Sequence, residues 1–442
     1  MKSPLSLPQY LSAVAVSWCA TVVGGWVSFT SVAIPKMMTT TEEEEEFLID
    51  LNTGSWIISI LSIGLVLGCL VGGYINQRIG ARRIFLYSAP LACLTWVLIA
   101  VSPSTMVVLV SRFLSGVLFG VYQATCKVYN AEIAHPDMRG SLGTIISNMY
   151  ALGSLYTYIL GSLIQSWRII AWLQIIPCFL LGVSVFFVPD SPYWLVERGR
   201  EEDARISLKI LRGSGYNVEP ELVEIINKKR SKEEHGRSVV QTLCSQEFFW
   251  PFLRLGSLMM LTQWAGMNVV TAYMVNIFMM SGTSIHPELA PVLVSSIQQL
   301  LAMISTLVLR VSPRKPLFLL CSTIIAMAHT CMGTFSYLTM QDTEPGSSYG
   351  WVPILCVVSV TASQTIGFMA VVQLLMAESF PTEIRFPSGL NYSSCIKQLF
   401  SGVMLLVFVE HLLLSTCLGQ PSFILYFLKT LDFMEHSGYM EL

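Results

Sequence analysis

Eleven mostly apolar runs follow one another along the 442-residue chain. Each is close to the roughly 20 residues an α-helix needs to cross the ~30 Å hydrocarbon layer of a bilayer. They cover about Gln9 to Pro35, Ser55 to Tyr74, Ile84 to Val101, Met106 to Asn130, Gly143 to Ile164, Ile169 to Val188, Trp250 to Met279, Leu289 to Leu309, Pro316 to Met340, Trp351 to Met376 and Ser388 to Leu414. Backbone inside hydrocarbon must satisfy its own N–H and C=O groups, so runs of this length dictate an all-α membrane protein. Composition agrees, with 53% of residues hydrophobic and 12% charged. A soluble protein carries about 25% charged residues. The first run is too long for the apolar part of a secretory signal and lacks a small-residue cleavage site, so it counts as a span. In the second run Gly64, Gly68 and Gly72 recur four apart on one face, which predicts close approach of a neighbouring helix backbone.

A nearly duplicated segment divides these runs into two sets. Ala131-Glu132-Ile133-Ala134-His135-Pro136-Asp137-Met138-Arg139 returns as Ala377-Glu378-Ser379-Phe380-Pro381-Thr382-Glu383-Ile384-Arg385. Both end an apolar run in Ala-Glu, both place Arg seven residues after the Glu, and both lead into another apolar run. Repeated helical halves with a solute site at their interface are a plan of secondary transporters. The reading divides the chain into a six-helix half over 9–188, a hydrophilic linker over 189–249, a five-span half over 250–414 and an atypical tail over 415–442. The linker follows Pro189-Asp190-Ser191-Pro192 and carries ten of the 26 Lys and Arg residues. Within it, Glu201 to Leu211, with a Glu201/Arg205 pair at i,i+4, and Glu219 to Arg230 are predicted surface helices.

Charge placement sets an orientation. With Lys2 cytoplasmic, Arg78, Arg82, Arg83, Arg139, the linker cations, Arg254, Arg310, Arg314, Lys315 and Arg385 are cytoplasmic too, twenty of 26 in all. Lys36, Arg112 and Arg168 then fall near the outer face, beside the acidic run Glu42 to Glu46. A net charge of −2 gives no reason to expect a nucleic-acid partner. The eleven cysteines are scattered singly with no Cys-x-x-Cys, which suits small buried hydrophobes and implies no metal site. No nucleophile motif or P-loop is present, so neither an enzyme nor a cofactor is expected.

Several motifs together resemble the sugar porters of the major facilitator superfamily, and most of all the facilitated trehalose transporters of insects. Gly73-Tyr-Ile-Asn-Gln-Arg-Ile-Gly-Ala-Arg82 sits where the family has Gly-x-x-x-Asp/Glu-Arg-x-Gly-Arg-Arg. Glu132 to Gly140 matches Glu-x6-Arg-Gly, and Pro189 to Leu195 matches Pro-Glu-Ser-Pro-Arg-Trp-Leu as Pro-Asp-Ser-Pro-Tyr-Trp-Leu. The resemblance implies a major facilitator fold of two pseudo-repeated helical halves that opens a central site to each face in turn. It implies a plasma-membrane carrier with its amino terminus in the cytoplasm, moving a neutral sugar such as a hexose or trehalose by facilitated diffusion. In that picture Glu132 and Glu378 pair with Arg139, Arg385 and the Arg78/Arg82 cluster when the inner gate is closed. Such a pair, formed in one state only, acts as a latch.

The family's sugar contacts carry over unevenly. Span seven reads Thr262-Gln263-Trp264-Ala265-Gly266-Met267-Asn268, matching Gln-Gln-x-x-Gly-x-Asn at Gln263, Gly266 and Asn268, and Tyr273 matches the second of two tyrosines. Amides suit a sugar because each offers donor and acceptor to paired hydroxyls. Gln373 replaces the family's aromatic platform on span ten, Ser147 stands for its glutamine on span five beside Asn148, and Lys397 takes the place of an Asn on span eleven. Lys397 would lie ~14 Å deep by the helical rise, and a cation there favours anionic or acceptor-rich solutes. The drift leaves a second reading open, a sensor or partner protein of the same fold that no longer transports. After Leu414 the apolar run Ser422 to Leu428 is too short to span, so eleven spans are expected, with an incomplete twelfth.

Overall fold

The computed structural model describes residues 6–38, 49–135, 138–213, 215–234, a set of positions between 253 and 280, then 288–341, 351–372 and 375. Regular structure among the described residues is helical throughout. The first bundle holds α1 (Ser6–Met38), α2 (Leu51–Ile79), α3 (Ala81–Ala100), α4 (Thr105–Ile133), α5 (Arg139–Leu163) and the pair α6 (Trp167–Leu173) and α7 (Ile175–Phe186). The linker folds as α8 (Pro192–Glu197), α9 (Glu201–Arg212) and α10 (Glu219–Glu234). Beyond it come α11 (Met274–Met280), α12 (Ala290–Val311), α13 (Arg314–Gln341) and α14 (Val352–Ser363), the last continued by a π-helical turn at Gln364–Phe368. Eight described segments are long and apolar enough to cross a membrane.

The glycine spacing in α2 does what it predicts. A Cβ added at Gly64 or Gly68 would lie closer than 3.0 Å to the backbone carbonyls of Phe113 and Val117, and one at Gly72 would lie 3.0 Å from Val121 Cα. The contact is reciprocal, since a Cβ at Gly120 would lie 2.5 Å from Leu65 O. α2 and α4 therefore pack backbone against backbone, and only the absence of side chains lets them. Gly24 and Gly153 do the same where α1 crosses α5. There Thr21 Oγ1 also donates to Met149 O at 3.0 Å.

Aromatic rings fill the middle of the first bundle. Trp26 stacks on Tyr122 at 5.9 Å between centroids, and Phe29 meets Trp96 edge-on at 5.1 Å. Arg112 is buried among them. It donates to Trp26 O at 2.7 Å and covers the Phe29 ring at 4.9 Å. Its place early in the span set its depth near the outer face and left its direction open. The structure turns its side chain inward, and no periodicity argument on one helix could fix that direction.

Three expectations change. The sixth span is two helices broken at Gln174, whose Nε2 donates to Thr157 Oγ1 at 2.7 Å. The tenth, read as one continuous helix, carries the π-helical turn, where Gly367 lets Cys321 of α13 approach and Phe368 stacks on Phe318 at 4.9 Å. In the linker, Arg205 pairs with Glu202 at 2.6 Å and Glu219 at 2.8 Å, not with Glu201 as the i,i+4 rule suggested. Glu219 begins the next helix, so the tertiary fold selects the partner.

Candidate functional site

Two places join the parts of the fold, the end of the bundle that carries the linker and the seam between the first bundle and the helices beyond the linker. At the linker end the chain leaves α7 through Pro189-Asp190-Ser191 and turns into α8. Ser191 caps that helix, accepting from Trp194 N at 3.4 Å, and donates from the same oxygen to Glu132 Oε2 at 2.5 Å. Tyr129, one turn earlier on α4, donates to Pro189 O at 2.8 Å. Arg82 at the start of α3 donates to Phe186 O at 2.9 Å and stands 3.9 Å from Asp190. These contacts gather the ends of α3, α4 and α7 around the start of the linker.

Trp194 fastens the linker to α2. Its Nε1 donates to Gln77 O at 3.0 Å, and Arg83 and Arg198 lie over the indole. Arg198 also donates to Arg78 O at 2.7 Å. Gly80, with φ of 88°, makes the turn from α2 to α3 directly under this ring, and a Cβ there would lie 3.0 Å from it. Left-handed backbone and close approach both demand glycine at that position. On the other side of α8, Arg212 is buried, grips Glu221 with two nitrogens at 3.0 and 2.6 Å, and donates its third to Ile133 O at 2.8 Å. A bidentate pair whose remaining donor is also satisfied is the geometry in which a buried ion pair holds its place. The last turn of α4 is thus bound to α9 and α10.

Of the residues expected to gate, Glu132, Arg78 and Arg82 lie in this cluster. Arg82 faces Asp190 and Arg78 covers the Tyr74 ring at 5.0 Å. Arg139 begins α5, but its side chain lies outside the described residues, as do Glu378 and Arg385. Sequence reasoning missed Asp190, Ser191, Trp194 and Arg212 as partners. The Pro-Asp-Ser-Pro-Tyr-Trp-Leu motif was the available signal for the first three.

The seam lies between α1 and α5 on one side and α11 and α12 on the other. Ser31 Oγ accepts from Val275 N at 3.3 Å, and Tyr158 OH donates to Thr271 O at 3.2 Å. Lys36 Nζ donates to Gly161 O and Ile164 O, both at 2.5 Å, and stands 3.6 Å from Glu288. Gln165 Nε2 also reaches Glu288, at 3.4 Å. Among the described residues, these four bridges all lie toward the end of the molecule away from the linker. On the two seam helices Asn148 Oδ1 of α5 and Ser295 Oγ and Gln299 Oε1 of α12 are buried with no hydrogen-bond partner among the described residues. Gln299 was missed in the sequence, although Gln298-Gln299 inside an apolar run was a signal for it. The expected solute contacts Gln263, Gly266, Asn268, Tyr273, Gln373 and Lys397 lie outside the described residues.

Comparison with known proteins fits this architecture. The family model for "Sugar (and other) transporter" matches residues 5–428. A facilitated trehalose transporter homolog of Drosophila sechellia is 29% identical over 392 residues, covering 88% of this chain and 79% of the relative. The facilitated trehalose transporter of Bombyx mori is 26% identical over 432 residues, covering 95% of this chain and 83% of its own. Among solved structures, a partially occluded inward-open form of the E. coli xylose transporter superposes with a TM-score of 0.71 at 18% identity, covering 91% of each chain. A POT family transporter in complex with 5-aminolevulinic acid reaches 0.63 at 14% identity, covering 98% of this chain and 96% of that one. The shared fold is therefore that of the major facilitators, and with the family model matching nearly the whole chain, the protein belongs to the sugar (and other) transporter family.

Proposed function

We propose that the protein is a facilitative carrier of a neutral sugar, a hexose or trehalose, working by alternating access in the plasma membrane. The linker and amino terminus face the cytoplasm, following the surplus of Lys and Arg at that end. The observation that carries the reading is the set of bridges that close the seam away from the linker. The bridges from Ser31, Lys36, Tyr158 and Gln165 to the helices beyond the linker all lie away from the linker. At the linker end, Arg82, Glu132 and Arg212 are engaged within the first bundle and its linker. Bridges at that end are what a carrier closed on its outer side requires. The trehalose carriers among its relatives and the span-seven amides Gln263 and Asn268 support a sugar as cargo. Glu132, Arg139, Glu378, Arg385, Arg78 and Arg82 serve as the inner latch.

The test is uptake of labelled trehalose, glucose and a panel of organic anions by cells carrying the protein at their surface. Saturable sugar uptake that persists when the proton gradient is collapsed is expected. Surface protein with no uptake above control cells would sink the carrier reading in favour of a sensor of the same fold.

A further inference from the structure

Three of the four seam bridges hold a backbone group or involve a neutral side chain; one is an ion pair. Lys36 is the third residue from the end of α1, and its ammonium is shared among three groups. Two are carbonyls, Gly161 O and Ile164 O, at the carboxyl end of α5, and the third is Glu288, two residues before α12. The side chains of Lys36 and Glu288 are 10% and 20% exposed. The partners differ in kind. α1 and α5 belong to one bundle and are pinned by the glycine crossing at Gly24 and Gly153. Lys36 therefore keeps its two carbonyls whatever the bundles do relative to each other, and carbonyls at a helix carboxyl end are where a cation is favoured. Glu288 comes from across the seam and is held by Lys36 and Gln165, both of the first bundle.

We infer that Glu288 is the latch of the outer gate, with Lys36 as its fixed keeper. On opening, only the carboxylate changes partners. It passes into water, where a charged oxygen is well solvated, while the ammonium stays satisfied by α5. A latch in which neither charge is stranded in the open state can be released reversibly, unlike a buried pair that leaves one ion without a counterpart. The role is one of positioning, since Glu288 need not touch the solute. The inference also explains an asymmetry that a simple surface pair would lack. Exchanging the charges, as Lys36→Glu with Glu288→Lys, would put a carboxylate against two helix-end carbonyls and should not restore closure.

This inference rests on the alternating-access reading, and its primary test reads the gate without needing a substrate. Ser31→Cys places a thiol where the side chain is buried in the closed seam. Its labelling from outside by a membrane-impermeant maleimide reports opening, against the same full-length protein without that thiol. Glu288→Gln in this background should raise the labelling rate about 5-fold, the size expected for a partly screened ion pair. Glu288→Asp should stay within about 2-fold of the parent, and the exchanged pair should label as fast as Glu288→Gln. As an independent arm, Gln165→Cys with Glu288→Cys, joined by a short bifunctional thiol reagent, should trap the closed gate and stop labelling of a cysteine at Ser31 until reduced. If Glu288→Gln fails to reach the surface, this arm decides. Unchanged labelling in Glu288→Gln, or a cross-linked protein that still labels at the parent rate, overturns the latch. Altered labelling with no sugar uptake would leave the latch standing and remove the carrier reading.

Discussion

Replacing Gly68 by alanine is the smallest change that should measurably loosen the first bundle. The added Cβ would sit closer than 3.0 Å to the Val117 carbonyl oxygen, which is helix backbone and cannot rotate aside. Restoring an ordinary contact of 3.4 Å or more therefore needs α2 and α4 to part. A radial gap of about 0.5–1 Å forfeits a quarter to a half of the dispersion attraction along the contact. Overpacking of this kind costs about 1–3 kcal/mol, while alanine in place of glycine returns about 0.8–1 kcal/mol of helix propensity. Because the obstacle is backbone, the balance falls at about 1–2 kcal/mol of net destabilisation. That is roughly a 5- to 30-fold change in the folded-to-unfolded ratio. Gly182→Ala is the matched control, since its Cβ would rest 3.4 Å from that of Ala89, and it should be neutral or slightly stabilising. Reversible unfolding of both purified variants in the same detergent micelle measures the difference. If Gly68→Ala is as stable as the parent, or Gly182→Ala loses as much, close backbone packing is not what the glycines provide.

Other outcomes follow from single contacts. Ser191→Ala removes both the cap of α8 and the hydrogen bond to Glu132. It should loosen the linker by about 1–3 kcal/mol, seen as faster limited proteolysis between α7 and α9 with the bundle intact. Arg112 donates from Nη1 to Trp26, while its Nε and Nη2 find no acceptor among the described residues. Arg112→Met, of similar length and uncharged, should therefore raise the melting temperature, and a lower one would show that the buried charge is better compensated than its contacts indicate. If Gln263 binds sugar in a dry site, Gln263→Ala should raise the apparent Km by roughly 5- to 150-fold at unchanged surface expression. Lys397→Asn should narrow the substrate range toward neutral sugars, and an anion panel run on both forms would expose a Lys397 that is merely structural.

What the sequence revealed, and what it hid, divides along a physical line. Eight of the eleven expected spans stand among the described residues as long apolar helices, legible because hydrocarbon imposes one length and one polarity on every helix. The α2 glycines were legible because contact between two helices repeats every four residues, within one segment. The helices of the linker were placed to within four residues, Glu201–Arg212 and Glu219–Glu234 against the expected Glu201 to Leu211 and Glu219 to Arg230. Pairing was harder. Arg205 took Glu219 of the next helix and Glu202 at i,i+3 rather than Glu201, while Arg82 met Asp190 and Arg112 met Trp26 on other elements. Helical periodicity gives the face of one helix and says nothing about what stands opposite. The break at Gln174 and the π-helical turn at Gln364–Phe368 were hidden for a related reason, since apolar composition is the same on both sides of each.

The placement of contacts suggests how rigidity and movement are shared out. Within the first bundle, helices touch through backbone across α2 and α4 and across α1 and α5, and such surfaces are bistable only at great expense because no side chain can adapt. Across the seam the links are different in kind, a hydroxyl to a backbone nitrogen, a phenol to a carbonyl and a charge pair at the rim. Each exchanges readily for water and none depends on interlocked backbone. A bundle sealed by glycine can therefore turn as one body against its neighbour. Opening breaks polar bonds that water can replace, but it also parts apolar contacts, since Met274, Phe278, Ala290 and Val294 belong to the same buried cluster as the first bundle, and a solute's differential affinity for the two states must offset that exposure.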